Sequence, residues 1–291
     1  MEAPGFTGRT RTLPRLALAT VTTAEATVAY QQEECIMGQI ELERKGAVLQ
    51  VAINRPEKKN ALTAEAYDGL SDAIESAEAD AGIRVLLLYG KGDAFTAGND
   101  LEDFMKRPWK AQAVPPAVRF IRAVAGARKP IVAAVHGLAV GIGTTILLHC
   151  DLVYAAEDAR FMMPFINLGI VPEAASTVLL PLLIGRQRAA ELFLLGAPLT
   201  AQRAYEIGLV NGVLVREELL ATAAAIAQQL AAKPAGAVLA CKELMKRALR
   251  AEVERALKEE VEVISERLES SETKEALSAF LEKRTPDFSR F

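Results

Sequence analysis

At 291 residues, 51% hydrophobic and 24% charged, the chain suffices for one large core, or for one core with a helical appendage. A formal charge of -3 and a pI near 5.7 exclude a broad basic footprint, so no nucleic-acid partner is expected and an anionic ligand must be met locally. The apolar run 131–148 is broken by His136 and glycines, which makes it a poor bilayer span; the widely spaced Cys35, Cys150 and Cys241 fit a reducing, cytoplasmic compartment and imply no metal.

Residues 1–36 are rich in Thr and Ala and hold no lasting periodicity. Pro14 and Arg15 interrupt any signal-like apolar stretch, so the segment reads as a mobile, dispensable extension, with Met37 as a second candidate start. Strand-like text begins at 40–42 and 48–53 around a Lys45-Gly46 turn, a hairpin pattern. A helix is expected over 64–79, where Ala66, Leu70, Ile74 and Ala77 share a face; a buried strand over 85–89 leads into a Gly90-Lys91-Gly92-Asp93 turn. A third strand at 130–135, a helix at 142–150 and a strand at 152–155 make alternating β and α units, an α/β pattern. From 200 onward only helical periodicity is evident, including the charged amphipathic stretch 252–268. The chain thus divides into an extension (1–36), an α/β core (37–230) and a C-terminal helical, oligomer-forming region (231–291).

Three connections carry residues suited to chemistry. The first runs Asn54-Arg55-Pro56-Glu57-Lys58-Lys59-Asn60-Ala61-Leu62, with Asn60 or Thr63 as N-cap; alone it is an ordinary polar loop. In the second, Ala94-Phe95-Thr96-Ala97-Gly98-Asn99-Asp100-Leu101, Gly98 permits a turn that aims the following N–H groups at a ligand, and the plainer reading is a strand-to-helix turn capped by Asp100. The third, Gly137 to Thr145, puts small residues and a helix N-terminus after a buried strand, as a tight packing turn also would. Brought together, Asn99 N–H and Ile142 N–H would form an oxyanion hole, the second strengthened by its helix dipole.

These loops in this order, NRPEKKNAL, AFTAGNDL and KPIVAAVHGLAVGIGT, with AFLEKRTPDFS near the C-terminus, resemble the enoyl-CoA hydratase/isomerase, or crotonase, family from about Met37 onward. The resemblance implies a spiral of ββα units, an acyl-CoA thioester as ligand, no cofactor beyond the coenzyme A of the substrate, and a homotrimer or hexamer. It places Asn99 and Ile142 at the oxyanion hole. It also implies that Lys59, Ala61, Ala97, Gly98, Asp100, Leu101 and Gly141 line the CoA and acyl channel and that Lys283 reaches CoA phosphates. Without the family, Lys283 is a solvated helical charge.

Departures from the pattern narrow the chemistry. Where hydratases of the family carry two glutamates, this chain has Thr145 and Phe165, while Glu173 in Val171-Pro172-Glu173-Ala174 resembles the single glutamate of enoyl-CoA isomerases. A 1,3-proton shift needs one carboxylate, which takes a proton from C2 and returns it to C4 while the hole holds the dienolate oxygen. Beside Phe165 and Ile170 such a carboxylate is expected to have a raised pKa. The alternative for Glu173 is a first-turn acid stabilising the next helix. His136 and His149 are expected in turn and core roles, Ser176 and Thr177 have no evident base, Asp151 is expected to end a helix and Glu191 to be structural. The leading expectation is a 3-enoyl-CoA to 2-enoyl-CoA isomerase. Hydratase activity is the alternative within the family, and a non-catalytic acyl-CoA binding protein is the alternative of another class.

Overall fold

The strands at 48–53, 85–90 and 131–135 are apolar at almost every position, the pattern of strands covered on both faces. In the computed structural model, which describes residues 34–105 and 114–291, they lie side by side in a seven-stranded sheet. Its strands are β1 (Glu34–Met37), β2 (Ile40–Lys45), β3 (Val48–Ile53), β4 (Val85–Gly90), β5 (Ile131–Val135), β7 (Leu152–Ala156) and β10 (Gly212–Leu214), in that spatial order. β1, β2 and β3 are antiparallel neighbours, and the pairs from β3 to β10 are parallel. Alternation sorts the side chains. Leu49, Val51, Leu86, Leu88, Ile131 and Ala133 enter one core, whereas Val48, Leu87, Val132 and Ala134 enter a second.

A second, narrower ladder runs beside the sheet through β6 (Leu138–Val140), β8 (Arg160–Met162) and β9 (Leu199–Thr200). Single bridges extend it, Thr96 to Ala139 and Leu62 to Asn99. Each turn of chain therefore gives one strand to the large sheet, one short segment to the narrow ladder, and then a helix, the expected spiral of ββα units. The helices are α1 (Ala64–Ala79), α2 (Leu101–Met105), α3 (Pro116–Gly126), α4 (Ile142–Thr145), α5 (Ser176–Ile184), α6 (Arg186–Leu195) and α7 (Ala201–Glu206). After them come α8 (Arg216–Ala231), α9 (Ala235–Arg247), α10 (Arg250–Arg267) and α11 (Ser271–Leu281). In α1 the expected face, Ala66, Leu70, Ile74 and Ala77, is buried, and Tyr67 meets Phe120 of α3 with ring centroids 5.8 Å apart. α8 covers the second core with Leu219, Ala223, Ala227 and Ala231, a four-residue spacing whose small side chains let the helix approach the sheet.

Several expectations are corrected. The extension 1–36 lies outside the described residues up to 33, but 34–36 belong to β1, paired along β2. The helix expected over 142–150 is α4 followed by a 3-10 turn, Ile146–His149. Thr144, Thr145 and Ile146 are β-branched, and the Thr144 hydroxyl bonds back to Ala139 O at 2.6 Å, which favours a short, tightened helix. Strands do occur from 199 onward: β9 has two residues and β10 three, too short for a period to appear in the sequence. Asp151 does not cap a helix; its Oδ2 accepts from Ile131 N and from Lys242 of α9 at 2.6 Å, fixing the start of β5.

Candidate active site

The three expected loops converge at the C-terminal ends of β3, β4 and β5. Asn60 organises the first two. Fully buried, it accepts from Arg55 N at its Oδ1 and donates to Lys91 O and Ala94 O. Lys59 and Asn60 both take the left-handed conformation, φ 51° and 58°. Thr63, not Asn60, caps α1, accepting from Ala66 N. Lys59 O accepts from Ala97 N, Gly98 O from Leu62 N, and Asn60 O from the Thr96 hydroxyl, so the 59–62 and 96–100 segments are laced together. Ala61 O takes Arg55 Nη1, which also pairs with Asp100 at 2.7 Å. Partial burial raises the Asp100 carboxyl, but its bonds to Arg55 and Asp103 N outweigh this and leave its pKa below the ordinary value. Asp100 caps α2, as expected, and Leu101 opens that helix half-buried.

Gly98 is the contact between the second loop and the third. At φ +83° it lies so close to Val140 that an added Cβ would stand 2.6 Å from Val140 O. Asn99 follows Gly98 by one residue and Ile142 follows Val140 by two. The N–H groups of Asn99 and Ile142 have no acceptor among the described residues. Tyr67 holds the side chain of Asn99 by donating to its Oδ1. Gly141, φ 56° and ψ −118°, turns the chain into α4 and faces the Phe165 ring. That ring is buried and carries no titratable group.

Glu173 does not lie in the first turn of a helix, because α5 starts at Ser176. It stands in the preceding loop, 9% exposed. Its Oε1 accepts from the Thr145 hydroxyl at 2.5 Å, and its Oε2 has no partner among the described residues. Thr145 and Ile142 are one helical turn apart on α4, so the carboxylate is tied to the element that carries the second free N–H. Burial raises the Glu173 pKa to about 8; the Thr145 bond opposes the shift and the nearby Glu260 carboxylate adds to it. Burial also holds His149 neutral, pKa about 4, with Nε2 2.7 Å from Ala174 O. A carbonyl only accepts, so Nε2 carries the proton. His136 sits in a turn against Gly92 O, and Glu191 is exposed on α6.

Lys283 is not brought to this cluster. It lies exposed just past α11 in a left-handed conformation, φ 54°, and no hydrogen bond or ion pair among the described residues joins it to the loops above. A cleft of about 320 Å³ lined by Ile83, Arg84, Lys129 and Pro130 opens at the N-terminal ends of β4 and β5, and none of the candidate residues lines it. Among the described residues Glu173 combines burial with an unpartnered carboxylate oxygen, and its bond to Thr145 ties it to the helix whose first residue, Ile142, has a free amide. The bonds made by Tyr67, Asn60, His149 and Glu260 have no signature in the sequence, since each joins segments far apart in the chain.

Comparisons with known proteins show the family and the fold. A family model described as Enoyl-CoA hydratase/isomerase matches residues 43–290. The chain is 37% identical over 249 residues to 1,2-epoxyphenylacetyl-CoA isomerase of Escherichia coli strain K12, covering 83% of this chain and 94% of that one. It is 35% identical over 233 residues to a probable enoyl-CoA hydratase of Bacillus subtilis strain 168, covering 79% and 90%. A crystal structure of an enoyl-CoA hydratase/isomerase from Pseudoalteromonas atlantica T6c superposes with a TM-score of 0.82 at 43% identity, covering 86% of this chain and all of that one.

Proposed function

The chain belongs to the enoyl-CoA hydratase/isomerase family and is an enzyme of it, and from that premise we propose that it shifts the double bond of a 3-enoyl-CoA to 2-enoyl-CoA with Glu173 as the single acid/base. The observation that carries the reading is Glu173 itself. It is a buried carboxylate with one oxygen held by Thr145 and the other without a partner among the described residues, and the family resemblance puts Thr145 and Phe165 where hydratases carry glutamates. The ionised Oε2 takes the C2 proton, the thioester oxygen gains charge against the Asn99 and Ile142 N–H groups, and the same carboxyl returns the proton to C4. In this reading Lys59, Ala61, Ala97, Gly98, Asp100, Leu101 and Gly141 shape the CoA and acyl channel, and Lys283 meets CoA phosphates. No cofactor is needed beyond the coenzyme A of the substrate, and the three free thiols support a cytoplasmic setting.

The test incubates the protein in D2O with 3-enoyl and 2-enoyl thioesters of several chain lengths and identifies products by mass spectrometry. Interconversion with deuterium at C2 and C4 supports the isomerase. The hydratase alternative is favoured by the names of several relatives and gains if water adds efficiently to the 2-enoyl ester. Binding without turnover would support a non-catalytic acyl-CoA protein.

The pH dependence has a defined sign. A general base acts when ionised, so turnover should rise with pH through a limb near the Glu173 pKa of about 8. Thr145→Val removes a bond that favours the charged form and should move this limb to higher pH, read from kcat/KM across a pH series. A limb unmoved by the substitution would show that the Thr145 bond does not act on the base.

A homotrimer or hexamer is proposed. Leu194 and Leu195 are 66% and 70% exposed on α6, and Phe280 and Leu281 are exposed at the end of α11, apolar surface of a kind that subunit contact covers. Light scattering at micromolar concentration should give three or six times the chain mass; a monomeric mass rejects the assembly.

A further inference from the structure

Immediately after Glu173 the backbone does something costly. Ala174 and Ala175 are consecutive and both left-handed, φ 62° and 53°. A non-glycine residue is strained in that conformation, so a pair of them persists only where the surroundings enforce it. Two buried polar side chains from distant elements supply the enforcement. From one side, His149 donates through Nε2 to Ala174 O at 2.7 Å. From the other, Glu260 of α10 accepts from Ala175 N at 2.7 Å through Oε2, and from Thr177 N at 3.1 Å and the Thr177 hydroxyl through Oε1. His149 follows in the same short segment as Ile142 and Thr145, so its bond ties the loop to the element that carries the second hole amide.

We propose that His149 and Glu260 are positioning residues: gripping the left-handed Ala174–Ala175 pair from opposite sides, they hold Glu173 in register with the Ile142 amide. The inference rests on the role of Glu173 proposed above. Glu260 is more than a cap for α5, since its bond to Ala175 N falls on the strained pair itself, one residue from the atom His149 holds. The ionisable groups close to Glu173 are then Glu260 from α10 and the neutral His149 from the 3-10 turn.

The test uses Glu260→Gln and His149→Leu in the full chain. Gln keeps the size of Glu but presents one acceptor oxygen and an NH2 group to three donors; Leu leaves Ala174 O without its donor. Both should lower kcat for C2 deuterium exchange by about 10- to 100-fold, the scale of a base displaced by about 1 Å, while thioester KM changes little. In Glu260→Gln the pH limb should also move down, because a neighbouring negative charge has gone. Adding Ala175→Gly should restore much of the lost kcat, since glycine adopts φ near +53° without strain. Backbone amide exchange over 173–177, followed by mass spectrometry, should be faster in both variants and does not depend on any reaction. Unchanged protection there, or wild-type kcat in either folded variant, overturns the proposal. If Glu260→Gln does not fold, His149→Leu decides it. Faster amide exchange in a protein whose wild type turns over no 3-enoyl thioester would reject the isomerase reading and leave the grip on the loop standing.

Discussion

Glu173→Gln is expected to lower deuterium exchange at C2 of a bound acyl-CoA by about two to four orders of magnitude, the usual worth of a positioned acid/base, while thioester binding persists. The amide carbonyl can still accept the Thr145 hydroxyl, so the loop keeps its contact, and the NH2 group replaces the free Oε2 without any capacity to take a proton. Stability should respond with the opposite sign. The folded-state pKa, about 8, lies above the ordinary value of 4.5, so the stabilisation that goes with a neutral Glu173 is complete below 4.5 and is lost as pH rises through about 8. The Gln variant has no such charge to bury, and its melting temperature should gain on the wild type as pH is raised through that window. Isothermal binding with a saturated thioester, deuterium uptake by mass spectrometry and thermal melts at several pH values read the three effects separately. Efficient hydration of a 2-enoyl thioester that survives in the Gln variant would mean that another group handles the water, and the single-base mechanism would fall.

A bulky residue at Gly98 should do broader damage. Gly98→Val places a side chain where a Cβ already comes within 2.6 Å of Val140 O, and at φ +83°, a conformation a β-branched residue resists. Relief requires the 96–100 turn to move away from 140–142, which separates the two amides proposed to hold the enolate oxygen. Loss of a single oxyanion donor costs about 10² to 10³ in kcat, and here thioester positioning is lost with it, so exchange, isomerisation and any hydration should all fall together. Gly141→Val should act similarly through φ 56° and ψ −118°. The pattern differs from Glu173→Gln, which spares binding. Circular dichroism and a melt on the same samples separate a displaced loop from an unfolded protein. Normal thioester turnover by folded Gly98→Val would remove the Asn99 amide from the mechanism.

What the sequence determined by itself was whatever local chemistry enforces. The buried runs that become β3, β4 and β5 are read directly because a strand covered on both faces must be apolar along its length. The face of α1 follows from a 3.6-residue period. Gly98 and Gly141 stand out because few residues other than glycine turn the backbone as those positions require. Glu173 was legible as a carboxylate in the right motif, but its alternative as a helix first-turn acid was removed only by the two residues, Ala174 and Ala175, that separate it from α5. The tertiary structure alone decided the rest. β9 and β10 are too short to carry a period, and β10 is a strand because β7 offers it a parallel edge. Thr145 meets Glu173 across 28 residues, Tyr67 meets Asn99 across 32, and Glu260 reaches Ala175 across 85. In the sequence Glu260 is one acid among many on a charged amphipathic helix. Its burial, and the two backbone N–H groups it receives, arise because α10 folds back on the start of α5, where left-handed alanines leave amides that a carboxylate must satisfy.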